Sequence, residues 1–202
     1  MIDHQPQKIR RARPEDSREL AELMNLAGDG IPAYLWSRMA DPGEDPIAFG
    51  ARRVAGTDGA FSHANAHVAE LSGMIAAMLL GYRLAETDAP GPIGDCPPVV
   101  RPLLALEASA PGAWYVNAVA AFPVCRGRGV GTALMGFAES LAAETGATAL
   151  SLIVAEDNDG ARRLYERLGY RTMDRREIVP YPGCPHRGDW ILMMKSIENG
   201  RD

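Results

Sequence analysis

The feature that most constrains this chain is a glycine-rich turn at residues 125–132, which reads Cys-Arg-Gly-Arg-Gly-Val-Gly-Thr. The hydrophobic pattern predicts a strand over Trp114–Phe122, before the turn. Apolar residues at helical spacing predict a helix over Val130–Thr145, after it. Glycines let backbone N–H groups approach an anion closely, and a helix N-terminus adds unpaired donors. Arg126 and Arg128 add full positive charges. The turn therefore predicts an anion-binding site, or else a plain structural turn without a ligand.

Two nucleotide-binding alternatives fail on spacing. In a dinucleotide fingerprint the third glycine would fall at Thr132, and no acidic residue lies about 20 positions further on at a strand end. A Walker-type phosphate loop would need a Gly-Lys-Ser/Thr ending. Only about 70 residues follow the turn, too few for a doubly wound dinucleotide fold. An NAD-dependent oxidoreductase is therefore disfavoured.

The hydrophobic pattern outside the turn predicts an alternation of strands and helices. The other predicted strands are Lys8–Arg13, His67–Leu71, Met74–Leu84, Ala149–Val154, Arg171–Val179 and Trp190–Ser196. The other predicted helices are Pro14–Ala27, Pro32–Met39, Val99–Ala108 and Asn158–Leu168.

Hydrophobic periodicity alone does not decide the structure of three segments. Ser72-Gly73 predicts the turn of a hairpin, although the Met, Ala and Leu residues that follow favour helix on intrinsic preference. Asp41–Gly59 is rich in proline and glycine and is interpreted as a surface connection, with a short helix over Ile47–Val54 as the alternative. Ala85–Gly112 holds six prolines and is interpreted as an ordered, irregular loop within one domain, with a linker as the alternative.

Composition excludes several classes of protein. With 202 residues, 47% hydrophobic and 23% charged, the chain fits one globular domain over 1–202. A net charge of −5 argues against nucleic acid or an anionic membrane as a partner. No apolar run is long enough to span a bilayer, and neither a secretory signal nor a paired-cysteine pattern is present. We therefore expect a cytoplasmic protein.

Metal and covalent sites are also disfavoured. His63 and His67 are four residues apart, but no third ligand at a fitting spacing accompanies them. Cys184 and His186 lie in a proline-rich tip between the last two predicted strands, which we expect to wall a pocket rather than to bind a metal. Cys125 adjoins the glycine-rich turn and is interpreted as a small buried side chain rather than a nucleophile. We expect no metal.

Taken with its surroundings, the turn resembles the acyl-CoA signature of the GCN5-related N-acetyltransferase (GNAT) superfamily. Arg126, Gly129 and Gly131 match the pattern of Arg or Gln, two residues, Gly, one residue, and Gly or Ala. A second stretch, Asn158-x-x-Ala161-x-x-x-Tyr165-x-x-x-Gly169-Tyr170, is similar to another family motif. The order of elements matches over nearly the whole chain. The resemblance implies a mixed α/β fold whose central, mostly antiparallel sheet is splayed between its fourth and fifth strands and flanked by helices.

The resemblance also implies transfer from acetyl-CoA to a primary amine, by direct attack in a ternary complex. The pyrophosphate would lie on the backbone of the turn, and the pantetheine arm would pair with the strand before it. The implied cofactor-binding residues are Val119, Ala120, Ala121, Arg126, Gly127, Arg128, Gly129, Val130, Gly131, Thr132, Asn158 and Tyr165.

Two residues are candidates for proton transfer. In the family, a tyrosine at the position of Tyr165 commonly protonates the leaving thiolate, whereas the helical pattern alone would make Tyr165 a core residue. Glu107, just before the fourth strand, is a candidate base that removes the acceptor's proton, and a solvated or capping role is the alternative. Asn158 is expected to cap its helix as well as to contact the cofactor arm.

The acceptor is not encoded in any motif. Small amines, amino-acid derivatives and protein N-termini remain open, and we expect selectivity to reside in Asp29–Ala40 and Ala85–Gly112. A homodimer is an expectation from the resemblance. The rival function is a non-catalytic acyl-CoA-binding or regulatory module that lacks an acceptor site.

Overall fold

The structure is a computed structural model that describes residues 8–86 and 93–197. Its strands are β1 Lys8–Arg11, β2 Ala66–Leu71, β3 Met74–Arg83, β4 Trp114–Ala121, β5 Ala149–Ala155, β6 Arg171–Glu177 and β7 Asp189–Ser196. Its helices are α1 Ser17–Ala27, α2 Ile31–Ser37, α3 Pro46–Ala55, α4 Arg101–Glu107, α5 Val130–Glu144 and α6 Asp159–Arg167.

The strands form a seven-stranded sheet in the order β1-β2-β3-β4-β5-β7-β6. Pairs β1–β2, β2–β3, β5–β7 and β6–β7 are antiparallel, and β4–β5 is parallel. That parallel pairing covers only Trp114–Val116 with Leu150–Leu152, and β4 continues to Ala121. The mixed α/β fold with a mostly antiparallel sheet, splayed between its fourth and fifth strands, is therefore confirmed.

The chain divides into two compact units, 8–81 with 118–137, and 82–117 with 138–197. In the first unit, α1 and β2 bury Leu20, Leu23, Met24 and Val68 completely or almost so. In the second unit, β5 and β7 contribute buried apolar side chains.

The interpretation of Asp41–Gly59 as a surface connection is wrong for its second half, where α3 forms and packs against α1 and α2. Pro46 begins this helix because a proline at the first position loses no hydrogen bond there, and Asp45 caps it by accepting from Ile47 N at 3.0 Å. Gly50 permits close packing, since a Cβ would lie 2.5 Å from the Trp36 ring. Proline and glycine usually interrupt helices, but here Pro46 begins the helix and Gly50 lets it pack closely against a neighbour.

The predicted hairpin is confirmed, and β3 is a strand although its residues favour helix. Ser72 (φ +52°) and Gly73 (φ +77°) both adopt the left-handed conformation that a tight hairpin turn requires. The five residues 76–80 are all buried, so both faces of β3 are covered. Burial in the middle of the sheet outweighs the intrinsic helix preference.

The pKa of one buried histidine makes stability depend on pH. His67 lies on β2 in the first unit, with its ring 4.9 Å from the Phe137 ring, edge to face. Burial, and to a smaller extent the charge of Arg11, lowers the pKa of His67 to about 4. An unfolded chain binds this proton near pH 6.5, so acid favours unfolding.

We therefore expect the free energy of unfolding to fall by about 2 to 3 kcal/mol from this residue as the pH drops from 7 to 4.5. Urea unfolding of the wild type and of His67→Gln at both pH values measures it. The variant should lose less stability on acidification than the wild type by that amount. An equal loss in both proteins would contradict the assignment.

Candidate active site

The glycine-rich turn lies in the first unit, between the end of β4 and the start of α5. The last residues of β4, Val119, Ala120 and Ala121, are half-buried. Beyond them Phe122 N donates to Ala76 O on β3 at 2.9 Å. The chain then enters the turn through a short 3-10 helix, Pro123–Cys125, which directly follows this bond.

Gly127 and Gly129 are required by the backbone of the turn. Their φ angles are +73° and +76°, which most side chains disfavour. A Cβ at either position would meet no described atom within 4 Å. Conformation rather than crowding therefore demands glycine, and the space beside both residues is open for a ligand.

The start of α5 supplies amide donors next to these glycines. The helix bond from Ala133 N to Gly129 O measures 3.0 Å. The amides of Val130, Gly131 and Thr132 precede that bond, so the helix geometry provides them no carbonyl partner. Such amides, at the positive end of a helix dipole, suit an anion.

Two arginines make the turn locally positive although the whole chain carries −5. Arg126 Nε donates to Ala121 O at 3.3 Å, which places its guanidinium at the end of β4. Arg128 is exposed. No acidic residue occurs in the sequence from Val119 to Ala138. The open space, the amides and the two arginines together fit a diphosphate group.

In the second unit, α6 carries Asn158 and Tyr165. Asn158 is the N-cap, because its side-chain oxygen accepts from Ala161 N at 3.2 Å. Tyr165 is 8% exposed, and its ring lies 5.9 Å from the ring of Tyr170. The predicted cap is confirmed, and Tyr165 lies on the buried face of its helix.

Glu107 is the last residue of α4 and is half-buried in the second unit. Burial raises the pKa of Glu107 to about 7, and a hydrogen bond from Tyr115 on β4 acts in the opposite direction. A carboxyl group that titrates near neutral pH is suited to accepting a proton there. The structure thus gives Glu107 an environment that a solvated surface carboxylate would not have.

Two tyrosines beside Glu107 are absent from the sequence-based set of candidates. The Tyr115 hydroxyl acts to lower the pKa of Glu107 against the effect of burial, and the ring of Tyr82 on β3 lies 5.9 Å from the Tyr115 ring. Asn117 Nδ2 donates to Tyr82 Oη at 3.3 Å. Asn117, on the strand after Glu107, is a polar residue that the sequence also offers near the base, and Tyr115 lies two residues before it on the same face, a spacing that could have pointed to Tyr115.

The proline-rich tip between β6 and β7 is tied to the turn that precedes α6. His186 Nδ1 lies 2.6 Å from Asp157 Oδ1, and Arg187 N donates to Asp157 Oδ2 at 3.1 Å. A cavity of about 410 Å³ lies along this tip, lined in part by Glu177 and Asp189. Both contacts therefore hold the tip against Asp157, the residue immediately before Asn158.

Within residues 8–86 and 93–197, no three His, Cys, Asp or Glu side chains lie together as metal ligands would. His63 Nδ1 instead lies 3.0 Å from Gly56 O, and His67 is buried on β2. Over the same part of the chain, no helix combines the length and the apolar character needed to cross a bilayer. Part of Ala85–Gly112, where we expect selectivity, lies outside the described residues.

The chain is similar in fold to solved acetyltransferases. A polyamine N-acetyltransferase of Drosophila melanogaster that forms N-acetylagmatine is 19% identical, with a TM-score of 0.65 over 95% of this chain and 100% of that one. An agmatine N-acetyltransferase is 20% identical, with a TM-score of 0.63 over 96% and 100%. A mosquito arylalkylamine N-acetyltransferase-like protein is 15% identical, with a TM-score of 0.65 over 95% and 100%. No curated protein sequence matches the chain.

The sequence profile described as the acetyltransferase (GNAT) family matches residues 34–170, which include the turn, α6 and Glu107. The solved structures share the fold over almost the whole chain. The matched residues include the arginine-glycine turn before α5 and the tyrosine on α6, which resemble the two motifs of this family. The chain is therefore a member of the GNAT acetyltransferase family.

Proposed function

We propose that the protein transfers the acetyl group of acetyl-CoA to a primary amine of a small molecule, by direct attack in a ternary complex. The observation that carries the proposal is the turn at 126–132, with two left-handed glycines, open space beside them and two arginines. Membership of the GNAT family supports the reaction class.

The turn and the strand before it would hold acetyl-CoA. The amides of Gly127, Arg128, Gly129, Val130, Gly131 and Thr132, with the Arg126 and Arg128 side chains, would bind the pyrophosphate. The backbone of Val119–Ala121 would pair with the amides of the pantetheine arm, and Asn158 would contact the same arm. When bound, acetyl-CoA supplies an activated acyl group.

We assign Tyr165 as the acid that protonates the departing thiolate. A tyrosine has a reference pKa of about 10 and a thiol one of about 8.5, so the phenol is protonated at neutral pH and can donate to the sulfur. The match of Tyr165 to the second family motif supports this role.

We assign Glu107 as the base that takes a proton from the acceptor ammonium group. The support is its pKa of about 7, set mainly by burial. At neutral pH about half of such a group is the carboxylate, which can accept the proton, directly or through water.

The acceptor we propose is a small cationic amine. Solved relatives in fold act on polyamines and agmatine, and this chain is acidic overall. A single domain over 1–202, a homodimer and a cytoplasmic location stay predictions. The rival, a non-catalytic acyl-CoA-binding module, would bind the cofactor without turnover.

A melting experiment tests the cofactor site. Acetyl-CoA or CoA at a hundredfold excess over its Kd should raise the Tm by roughly 5 to 11 °C, and NAD should not. Gly129→Glu should abolish the shift, because a carboxylate would block and repel the pyrophosphate. Gly59→Glu is the matched control, since Gly59 has a similar φ of +85° in another exposed turn. An undiminished shift in Gly129→Glu would place the phosphates elsewhere.

The role of Tyr165 is tested by removing its hydroxyl. Tyr165→Phe should bind CoA normally but lower kcat by roughly a hundredfold, because the thiolate must then leave unprotonated. Tyr170→Phe is the control, since the buried Tyr170 hydroxyl has no hydrogen-bond partner among the described residues. Equal kcat values for Tyr165→Phe and the wild type would remove Tyr165 as the acid.

The pH profile tests Glu107. With a panel of agmatine, spermidine and 2-phenylethylamine, kcat/KM should rise with pH through about 7 as Glu107 loses its proton. Glu107→Gln should remove this rise and lower kcat/KM by roughly a hundredfold. A wild-type profile kept by the glutamine variant would show that another group is the base.

Binding of CoA without transfer to any amine would favour the non-catalytic module.

A further inference from the structure

Asn117 lies at the point where β4 separates from β5. The pairing of these strands ends at Val116 with Leu152, and Asn117 is the next residue of β4. Val116 and Ala118 on either side of it are buried, whereas Asn117 is half-buried. Alternate residues of a strand share a face, so its side chain lies on the same face as that of Tyr115. A partly accessible amide therefore interrupts a mostly apolar strand at the place where the sheet splays.

One end of the Asn117 amide is fixed by Tyr82. Asn117 Nδ2 donates to Tyr82 Oη at 3.3 Å. The Tyr82 ring in turn meets the Tyr115 ring edge to face, with the ring centroids 5.9 Å apart and the planes at 78°. Because Tyr115 is 4% exposed, its ring is a closely packed support for Tyr82. The phenol therefore holds the nitrogen of the amide, and the amide oxygen lies on the other side of the same carbon.

The oxygen of this amide is available to a ligand. Among residues 8–86 and 93–197, no group donates a hydrogen bond to Asn117 Oδ1. This oxygen is also not among the buried side-chain atoms that lack a partner, so it can be reached from outside the protein. An amide oxygen has two lone pairs and accepts from N–H donors. The open end of Asn117 thus offers a hydrogen-bond acceptor.

The charge that acts on this pair is negative. Burial, and to a smaller extent the charge of Glu107, raises the pKa of Tyr82. The phenol therefore keeps its proton at neutral pH, and the proposed base lies close enough to act on it. Arg83, which follows Tyr82 on β3, pairs with Glu86 at 2.6 Å. These surroundings favour a cationic ligand over an anionic one.

We propose that Asn117 binds the nitrogen of the acceptor amine through Oδ1, and that Tyr82 is the positioning residue that turns this oxygen toward the amine. The inference rests on the proposed function, in which Glu107 takes a proton from an acceptor ammonium group. The diphosphate is assigned to the turn after β4 and the pantetheine arm to Val119–Ala121. The acyl end of the cofactor would therefore lie toward Asn117 along the same strand.

A neutral amide suits this task better than a carboxylate. An N–H of the amine can bond to the amide oxygen whether or not the amine carries its extra proton. A carboxylate at this position would stabilise the ammonium form and raise its pKa, whereas the amine must lose that proton before it attacks. Asn117 would thus hold the nitrogen without opposing proton transfer to Glu107.

NMR of the asparagine side-chain amides tests the contact in the wild-type protein. The amide nitrogens are labelled with nitrogen-15, and the Asn117 signals are identified by sequential assignment. In the complex with CoA, which cannot react, agmatine should shift the Asn117 signals in a saturable manner. The signals of Asn25 and Asn65 are internal controls and should not move, because these side chains bond to the backbone of Ala33 and Gly59.

Steady-state kinetics measure the consequence for the reaction. Asn117→Ala should raise KM for agmatine about tenfold, the effect of one hydrogen bond to a charged group, and leave KM for acetyl-CoA unchanged. Tyr82→Phe keeps the ring and the Asn117 oxygen, so it should raise KM for agmatine less, by about threefold. Tyr170→Phe removes a buried hydroxyl that has no hydrogen-bond partner among the described residues, and as the control it should change neither KM.

Asn117→Asp separates binding of the amine from a role in folding alone. The aspartate keeps an oxygen that can accept from the amine, so KM for agmatine should stay at or below the wild-type value. Its charge should hold the proton on the amine and lower kcat at neutral pH by roughly tenfold. A residue that only maintained the fold would show similar losses in the alanine and aspartate variants.

The inference would be overturned if none of agmatine, spermidine and 2-phenylethylamine shifted the Asn117 signals. An unchanged KM for agmatine in Asn117→Ala, or equal rises in KM for agmatine and acetyl-CoA, would also contradict it. Failure of the proposed function has another signature. In that case the wild type would transfer no acetyl group to these amines, while the NMR shifts would still report whether an amine binds at Asn117.

Discussion

The short parallel pairing between β4 and β5 is the constraint on which the proposed chemistry depends. Only Trp114–Val116 pair with β5, although β4 runs on to Ala121. Backbone amides and carbonyls that leave a ladder need other partners. An extended ligand with amides of its own can supply them, and the glycine-rich turn that follows can then receive the ligand's charged end. A fourth strand paired with β5 along its full length would leave no such backbone groups for a ligand.

Local sequence signals were sufficient for most of the fold and for the conformation of the glycine-rich turn. The turn could be predicted because glycine conformation and helix-start amides are local properties, and the structure shows left-handed angles at Gly127 and Gly129. Helix α3 was not predicted as the main interpretation of its segment, because the role of Gly50 depends on its close contact with Trp36, a residue of a different helix. Tyr82 was missed for a similar reason, since its ring meets Tyr115 from another strand. Tyr115 is close to Glu107 in sequence, but it belongs to no motif that would single it out.

Two buried titratable groups show how the same physical effect serves different ends. Burial lowers the pKa of His67 and raises that of Glu107, because in each case the charged form is disfavoured. His67 has a ring neighbour and behaves as a packing residue that acid would charge. Burial brings the pKa of Glu107 to about 7, so its two protonation states are close in free energy at neutral pH. The same loss of hydration therefore keeps the histidine uncharged at neutral pH and makes the carboxyl group able to exchange a proton there.

The link between the tip and Asp157 limits how the tip itself can change. Asp157 holds both His186 and Arg187 and immediately precedes the cap of α6. An insertion or deletion in the tip would therefore also disturb the start of the helix that carries Tyr165. The tip could not be exchanged between homologues as a separate module. Substitutions that preserve its length and the aspartate contacts would leave the helix start intact.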